Sequence, residues 1–493
     1  MSLIRKQSIF GSFIAVFGVI LGFLNSGFLQ PKILAIETIG LIRVMLSIAS
    51  VASVFATFGF NTVLVKFFPE AEKNNQARKL LKLYTLTIIA GLILGVTGIY
   101  VYLQFIQSKL PEHYFLSTIL VFIFYFLLTS FGILLNVFGK VNYVLFVKDV
   151  LIKFLFVSFL IALILFDKPE DWLVNSFYGV YMLGALLLLL NTLFVINLKQ
   201  INSRVQNHEK LNLSKIFPVA FFSLLSASTA IFIKELDILM VTELIDIKAT
   251  GVYAVMLFFA VLVSVPSRAL IGISTVKIGQ AWSNNDSKFL TDIYKKTANN
   301  QLFIAGLVMV LLNANVYVVL DLMPNGFKFI DGVWVVFWLS LAQFIDMASG
   351  VSGQILYYSD KFKVGFYLSV ILLICLIGLN YLLIPVYGIS GAAFATFLSQ
   401  LINNFLRWYF LKNTYNLQPF NRSFIIGLIM IGALITIAVL CRPFVQAVDD
   451  FLLFILMNFS LLAIFFITII KTKIAPDLKD RIYMYAKKMK VIK

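Results

Sequence analysis

Fourteen long apolar runs constrain this chain more than any other feature of its sequence. A helix that spans a membrane needs about 20 mostly apolar residues, because lipid offers its backbone groups no hydrogen-bond partners. Charged or proline-bearing connectors separate the runs, which lie approximately at 9–30, 40–65, 80–103, 116–139, 141–166, 173–197, 214–236, 250–274, 299–322, 333–356, 364–385, 388–411, 423–445 and 450–471. They predict an all-α polytopic membrane protein with about 14 transmembrane helices. Only Gly139 and Lys140 separate the fourth and fifth runs, so one bent helix is the alternative there.

The composition agrees with this class of protein and excludes several other classes. Hydrophobic residues make up 61% of the chain and charged residues 13%, whereas an ordinary globular domain is roughly 45–50% apolar. Cys375 and Cys441 lie inside apolar runs, and His113 and His208 lie in polar connectors. The sequence therefore indicates no disulfide framework, no thiol-metal cluster and no histidine-based membrane enzyme.

The lysine and arginine residues indicate the orientation, since short cytoplasmic loops carry the positive excess of a membrane protein. Placing the N-terminus inside puts 30 of the 40 basic residues on or near the cytoplasmic side, seven near the outer side and three within helices. Topology thus explains the net charge of +17, and nucleic acid is not expected as a partner. Both termini are predicted to be cytoplasmic, with the basic tail lying on the anionic lipids of the inner leaflet.

An internal repeat divides the chain. Residues 40–46 (GLIRVML) return as residues 251–257 (GVYAVML) at an offset of 211, and 40–75 carries ten identities in 36 positions at this offset. Composition alone would give about three. Six predicted spans separate the copies, so the halves share one orientation, as in transporters that hold substrate between two repeats. The predicted organisation is an N-terminal lobe (1–198), a cytoplasmic inter-lobe linker (199–213), a C-terminal lobe (214–412), two further helices (413–471) and the tail (472–493).

Two segments and the six-plus-six-plus-two layout carry a resemblance to a known family. The segments are KELDILMVTELIDIKATGVYAVML at 234–257 and GISGAAFATFLSQLINNFLRWYFLKN at 388–413. The chain resembles the polysaccharide-export flippases of the O-antigen flippase type, within the multidrug/oligosaccharidyl-lipid/polysaccharide (MOP) superfamily. The resemblance implies a MATE/MurJ-like fold. It also implies that an oligosaccharide on an undecaprenyl-diphosphate carrier is moved across a bacterial inner membrane by alternating access, alongside other polysaccharide-assembly proteins.

Two other functions compete with this interpretation. One is an ion-coupled multidrug antiporter of the MATE type, and the other is a membrane scaffold of a glycan-synthesis complex. Such antiporters often resemble one another in having acidic residues deep in the N-terminal lobe or in span 7, whereas the middles of spans 1–4 here contain none and basic groups are at least as prominent. The sequence also lacks a Gly-x-x-x-x-Gly-Lys-Ser/Thr phosphate loop and a large outer connector. We therefore expect a secondary transporter rather than an enzyme, with no cofactor apart from a candidate H⁺ or Na⁺ coupling ion.

Basic residues inside the spans are candidates for the substrate cavity, because charge inside a membrane is rare and an anionic cargo needs cations. Lys153 lies near the middle of span 5, with Lys148 nearer the cytoplasm. Asp149, a candidate for ion coupling or gating, can also pair with Lys153 at the i, i+4 spacing. Arg43 lies in the outer part of span 2, where snorkelling to the interface is the alternative. Arg268 lies near the cytoplasmic end of span 8, where positive-inside anchoring is the alternative.

Acidic and amide side chains are candidates for coupling, gating or sugar binding. Asp346, near the middle of span 10, has no basic residue within a turn, so a partner on another helix competes with ion coupling. Lys234 and Asp237 lie near the outer end of span 7, where they either meet water or line and gate a path. Gln400 and Asn403 follow a small-residue surface in span 12, where they either pack between helices or bind sugar hydroxyls.

Overall fold

A computed structural model describes residues 11, 14, 17–105, 109–198, 213–441 and 451–471. Within those ranges the chain is nearly all helical and has no strand, which confirms the all-α prediction. The predicted linker, apart from Leu213, and the predicted tail lie outside the described residues. Arg268 belongs to a described helix, but its side chain lies outside the described part of the structure.

The chain divides into two compact units, Met1–Ala254 and Val255–Lys493. The helices that begin in the first unit are α1 (17–33), α2 (Ile36–Ala56), α3 (Phe60–Lys73), α4 (Ala77–Phe105), α5 (Phe115–Val137), α6 (141–165), α7 (Glu170–Ser176), α8 (Tyr178–Leu198), α9 (Leu213–Leu244) and α10 (Ile247–Val261). Helix α5 packs against α2, α4 and α8, and it buries Phe122 and Phe126 completely. Helix α9, which the repeat assigns to the C-terminal lobe, packs against α2 and α3 and so belongs to the first unit.

The second unit contains α11 (Val265–Ser283), α12 (Ser287–Ala314), α13 (Val316–Leu322), α14 (Val333–Ala348), α15 (Ser352–Tyr358), α16 (Lys363–Tyr415), α17 (Arg422–Cys441) and α18 (Phe451–Lys471). Helix α12 packs against α14, α17 and α18 around a core that includes Phe303, Phe344 and Phe465. Two reciprocal amide hydrogen bonds join Asn315 to Asn458 at 2.8 and 2.9 Å. The two helices predicted beyond the repeats are therefore anchored to the second unit through α12 and the turn that follows it.

Ten helices in the described ranges are long and apolar enough to span a membrane, so the count of 14 stays a prediction. Several predicted spans are interrupted. Span 2 breaks between α2 and α3, where Phe58 and Gly59 have φ angles of 49° and 73°. Span 5 contains a π-helical turn, Phe146–Leu151, which divides α6 into shorter regular segments. Spans 4 and 5 are separate helices, because α5 ends at Val137 and Gly139 takes a left-handed φ of 79°.

Spans 11 and 12 form the single element α16, 53 residues long, with a kink at Gly388. Gly388 has φ 59° and ψ −141°, a conformation that glycine adopts without a Cβ clash and that strains other residues. A Cβ on Gly391 would lie 2.2 Å from the carbonyl oxygen of Leu383, so the chain after the kink passes closely over the chain before it. These two requirements account for the glycine spacing in the segment GISG.

Candidate functional site

A buried carboxylate in α9 is surrounded by donors from α2 and from its own helix. Arg43 Nη2 lies 2.7 Å from Glu235 Oε2, and Ser47 Oγ donates to the same oxygen at 2.7 Å. Lys234 Nζ lies 2.9 Å from the other oxygen, Oε1. We call Arg43, Ser47, Lys234 and Glu235 the Glu235 cluster. Two cations and one hydroxyl thus satisfy both oxygens of a single carboxylate.

The exposed part of the Glu235 cluster is positive. The Glu235 side chain is only 2% exposed, whereas the side chains of Arg43 and Lys234 are 23% and 65% exposed. The two cations and one anion give a formal charge of +1, and the anion lies underneath. An unpaired buried carboxylate is strongly destabilising, so the contact with Arg43 stabilises Glu235 inside the unit. The cluster consequently presents cations that are held in place and remain accessible.

The sequence leaves open whether this stretch is a helix end that meets water or part of a path, and the structure buries two of its three charged side chains. Helix α9 continues to Leu244, beyond the predicted end at 236. Glu235 and Asp237 are 1% and 7% exposed, and the Tyr253 hydroxyl donates to Asp237 Oδ2 at 2.7 Å. The helix continues because these carboxylates have partners inside the protein. Sequence analysis missed Glu235 as a candidate. Two features could have indicated it: its neighbour Lys234, and Arg43, the one arginine of span 2, which needs an acidic partner.

Helices α2 and α10 meet in a reciprocal backbone contact. Its residues are close along the chain to those of the Glu235 cluster. A Cβ on Gly40 would lie 2.0 Å from the Ile247 carbonyl oxygen, and a Cβ on Gly251 would lie 2.2 Å from the Ile36 carbonyl oxygen. The repeat offset of 211 relates Ile36 to Ile247 and Gly40 to Gly251. The contact therefore joins equivalent positions of the two repeats, at helix ends that the charge pattern predicts to be outer.

The charged residues of α6 lie where its π-turn packs against α1 and α5. Lys153 Nζ donates to the Gly18 carbonyl oxygen of α1 at 2.6 Å, and a Cβ on Gly18 would lie 2.8 Å from the carbonyl oxygen of Asp149. The end of the Lys148 side chain passes over Gly132 of α5, 3.0 Å from where a Cβ would stand. Lys153 is half-buried and ties α6 to α1. The Asp149–Lys153 pair and the cavity role of Lys148 and Lys153 stay predictions.

Asp346 has a partner on another helix of the second unit. Arg407 Nη1 of α16 lies 3.9 Å from Asp346 Oδ1, and Asn404 Nδ2 lies 3.5 Å from the same oxygen. Arg407 also approaches Asn404 Oδ1 at 3.5 Å and Ser352 Oγ at 3.4 Å. We call Asp346, Asn404, Arg407 and Ser352 the Asp346 cluster. All of these contacts are longer than those of the Glu235 cluster, and the side chains of Asp346 and Arg407 are 36% and 20% exposed.

The two amide candidates of span 12, Gln400 and Asn403, differ in burial and in hydrogen bonding. The backbone carbonyl of Gln400 accepts a hydrogen bond from Asn404 at 2.9 Å, and the Gln400 side chain is half-buried. Asn403 is 4% exposed, and its side-chain oxygen Oδ1 accepts no hydrogen bond from a described residue. Burial of Asn403 favours the packing alternative for that residue. A role in binding sugar for either amide stays a prediction.

No protein-family profile matches the sequence, and no curated protein sequence matches it. Solved structures do match. The chain is similar to the lipid II flippase MurJ in its inward closed conformation, with a TM-score of 0.72, 16% identity, and 94% of this chain and 99% of that chain covered. It is also similar to an inward-facing MATE multidrug resistance transporter of the MOP superfamily (TM-score 0.53, 14% identity, 86% and 98% covered). A mutant of the Vibrio cholerae MATE transporter VcmN gives a TM-score of 0.51 and 16% identity, with 83% and 97% covered.

The fold class follows from these similarities and from the apolar helices. The chain is a multi-pass membrane protein with the MurJ/MATE-like fold of MOP-superfamily transporters. Identities of 13–16% establish the fold alone.

Proposed function

We propose that this protein is a flippase, which moves an undecaprenyl-diphosphate-linked oligosaccharide from the cytoplasmic to the outer leaflet of a bacterial inner membrane by alternating access. Both termini would lie in the cytoplasm. The similarity in fold to a lipid II flippase supports the proposal. The observation that carries it is the Glu235 cluster, in which a buried carboxylate holds two accessible cations on two helices predicted to span the membrane.

The chemistry of such a cargo fits this arrangement. The lipid tail can remain in the bilayer, while the diphosphate and sugars cannot cross hydrocarbon without a polar path. A guanidinium and an ammonium bind phosphate oxygens by charge-assisted hydrogen bonds, and the guanidinium does so in a bidentate geometry. Because Glu235 already orients Arg43 and Lys234, little side-chain entropy would be lost on binding. Arg43 and Lys234 are the residues that would meet the diphosphate.

Replacing Lys234 with glutamine tests this function directly. Glu235 keeps its contacts with Arg43 and Ser47, so the fold should survive while one cation is lost. In liposomes that contain a fluorescently labelled undecaprenyl-diphosphate oligosaccharide, we expect protein-dependent flipping that slows about tenfold in the variant. Lys328→Gln, which removes an exposed lysine at the predicted outer side, is the matched control and should flip at the wild-type rate. Absence of any protein-dependent flipping would refute the proposal.

An ion-coupled multidrug antiporter is the second candidate, because MATE transporters share the fold and Asp346 is an accessible acid in a predicted span. Under that alternative the liposomes would show gradient-driven efflux of a cationic dye and no lipid flipping. This outcome would move the protein to the antiporter class.

Replacing Asp346 with asparagine tests coupling to H⁺ or Na⁺. Asparagine keeps the shape of the side chain but carries no charge and binds no proton, so an ion-coupled step through this residue cannot occur. We expect transport by the variant to lose its response to an imposed proton or sodium gradient while transport without a gradient continues. Asp360→Asn, at an exposed acid in the turn before α16, is the control. If the gradient response persists in Asp346→Asn, Asp346 has no role in ion coupling and serves only in its contact with Arg407.

A further inference from the structure

Three aromatic side chains of the second unit form a contiguous cluster on α14 and α16. The Trp338 ring centroid lies 4.5 Å from that of Phe394 and 5.4 Å from that of Phe397. The two phenylalanine rings are stacked at 6.0 Å with an interplanar angle of 21°. All three side chains are half-buried, so each keeps part of its ring surface accessible.

The Asp346 cluster continues this surface along the same two helices. Asp346 follows Trp338 on α14 by about 12 Å along the axis, and Asn404 follows Phe397 on the same face of α16 by about 10 Å. Trp338 contacts Phe397, and Asp346 contacts Asn404, so the two helices run side by side through both groups. Together Trp338, Phe394, Phe397, Asp346, Asn404 and Arg407 form what we call the α14–α16 strip.

The strip has the properties of a surface that meets water rather than lipid. Asp346 and Arg407 keep 36% and 20% of their side chains exposed in the predicted membrane span. A charged side chain facing hydrocarbon is destabilising by about 2.5–3.5 kcal/mol, so such residues pair inside the helix bundle or face a water-filled cavity, and the exposed part of this pair favours the cavity. Asp346 and Arg407 contact their neighbours at 3.4–3.9 Å, so these two side chains keep hydrogen-bonding capacity, whereas the Asn404 amide already donates to the Gln400 carbonyl at 2.9 Å. In the Glu235 cluster, by comparison, the corresponding distances are 2.7–2.9 Å.

The combination of groups selects among ligand classes. A sugar ring presents an apolar C–H face, which packs on aromatic rings, and hydroxyl groups, which both donate and accept hydrogen bonds. Planar carboxylate, amide and guanidinium groups satisfy such hydroxyls. The opposite charges of Asp346 and Arg407 give the strip no net charge, so it offers a diphosphate no net attraction, and the aromatic rings add none. A cationic drug would pack on the rings and meet Asp346, but it would also meet the like charge of Arg407.

We propose that the α14–α16 strip binds a sugar residue of the cargo, with the ring against Trp338 and the hydroxyls on Asp346, Asn404 and Arg407. This assignment rests on the flippase function proposed above and gives the glycan a binding site in the second unit. Stacking depends little on which hexose is present, so the site would bind sugar rings of several kinds and discriminate mainly against cargo without a sugar.

The test compares two lipid probes on the purified full-length protein. One is undecaprenyl diphosphate carrying a single N-acetylglucosamine, and the other is undecaprenyl diphosphate without sugar. Native mass spectrometry measures the dissociation constant of each. We expect the wild type to bind the sugar-bearing probe more tightly, and Trp338→Leu to weaken that binding about tenfold without changing the affinity for the bare carrier. Trp338→Phe, which keeps an aromatic ring, should retain most of the preference and shows that the position tolerates substitution.

Trp334→Leu is the matched control, since Trp334 lies one turn away on α14 and its ring meets that of Phe337 edge to face at 5.6 Å, one ring removed from Trp338. It should leave both affinities unchanged. Equal binding of the two probes by the wild type would overturn the sugar site and leave the flippase proposal intact. A Trp338→Leu variant that weakens both probes equally would make the aromatic cluster a packing feature and would also overturn it. Failure of both probes to bind would refute the flippase proposal itself.

Discussion

Replacing Arg43 with alanine should destabilise the protein by about 3 kcal/mol, more than replacing its partner Glu235. Without Arg43, the Glu235 carboxylate stays buried with only Ser47 and the exposed Lys234 beside it. Without Glu235, Arg43 can turn its partly exposed guanidinium toward water, so we expect a loss of only about 1–2 kcal/mol. Thermal unfolding of the purified protein in detergent measures both variants.

The double variant Arg43→Ala/Glu235→Ala distinguishes this mechanism from a general packing defect. Removing both charges leaves no uncompensated carboxylate, so the double variant should be more stable than Arg43→Ala alone. Lys234→Ala is the control within the same cluster. Because the Lys234 side chain is 65% exposed, its loss should change stability by less than about 1 kcal/mol. Additive losses in the double variant would contradict the proposed burial of an unpaired charge.

Replacing Gly40 or Gly251 with alanine should be destabilising by about 2–3 kcal/mol each, because a new methyl group would meet a backbone carbonyl. The distances of 2.0 and 2.2 Å cannot be relieved by a side-chain rotation. Helices α2 and α10 would have to separate. Since one methyl group already forces this separation, the double variant should be destabilised by clearly less than the sum of the two single variants.

Gly98→Ala provides the matched control in α4. Apart from its chain neighbours and the backbone of its own helix, no atom lies within 4 Å of a Cβ at that position, so the substitution should stabilise the helix by up to about 1 kcal/mol. Thermal unfolding again gives the readout. Tolerance of alanine at both Gly40 and Gly251 would show that the α2–α10 contact is not a close backbone contact.

Hydrophobic pattern was sufficient to predict most of the helices. Runs of apolar residues fix α4, α5, α17 and α18 to within a few residues, because membrane thickness demands that length. The break between spans 11 and 12 was also readable, since Pro385 and Gly388 both disfavour a regular helix. The interruption at Phe58 and Gly59 and the π-turns of α1 and α6 were not predictable, because apolar periodicity continues through them.

The charged clusters were only half predictable. Sequence singled out Arg43, Lys234 and Asp346, because charge is rare inside apolar spans. It could not pair Arg43 with Glu235, which lies 192 positions away, or Asp346 with Arg407 on another helix. Such pairs depend on which helix faces meet, and helix rotation is set by packing that one sequence does not encode locally.

The kink in α16 bears on how membrane topology can be mapped in this protein. Reporter tags are normally inserted in connectors that leave the membrane, and the sequence suggests one between spans 11 and 12. The structure has a single-residue corner there instead, with Gly391 held against the Leu383 carbonyl oxygen. An inserted tag would separate these two segments and break the helix on both sides. Reporters belong instead at the exposed turn of Asp167, where the backbone is already left-handed.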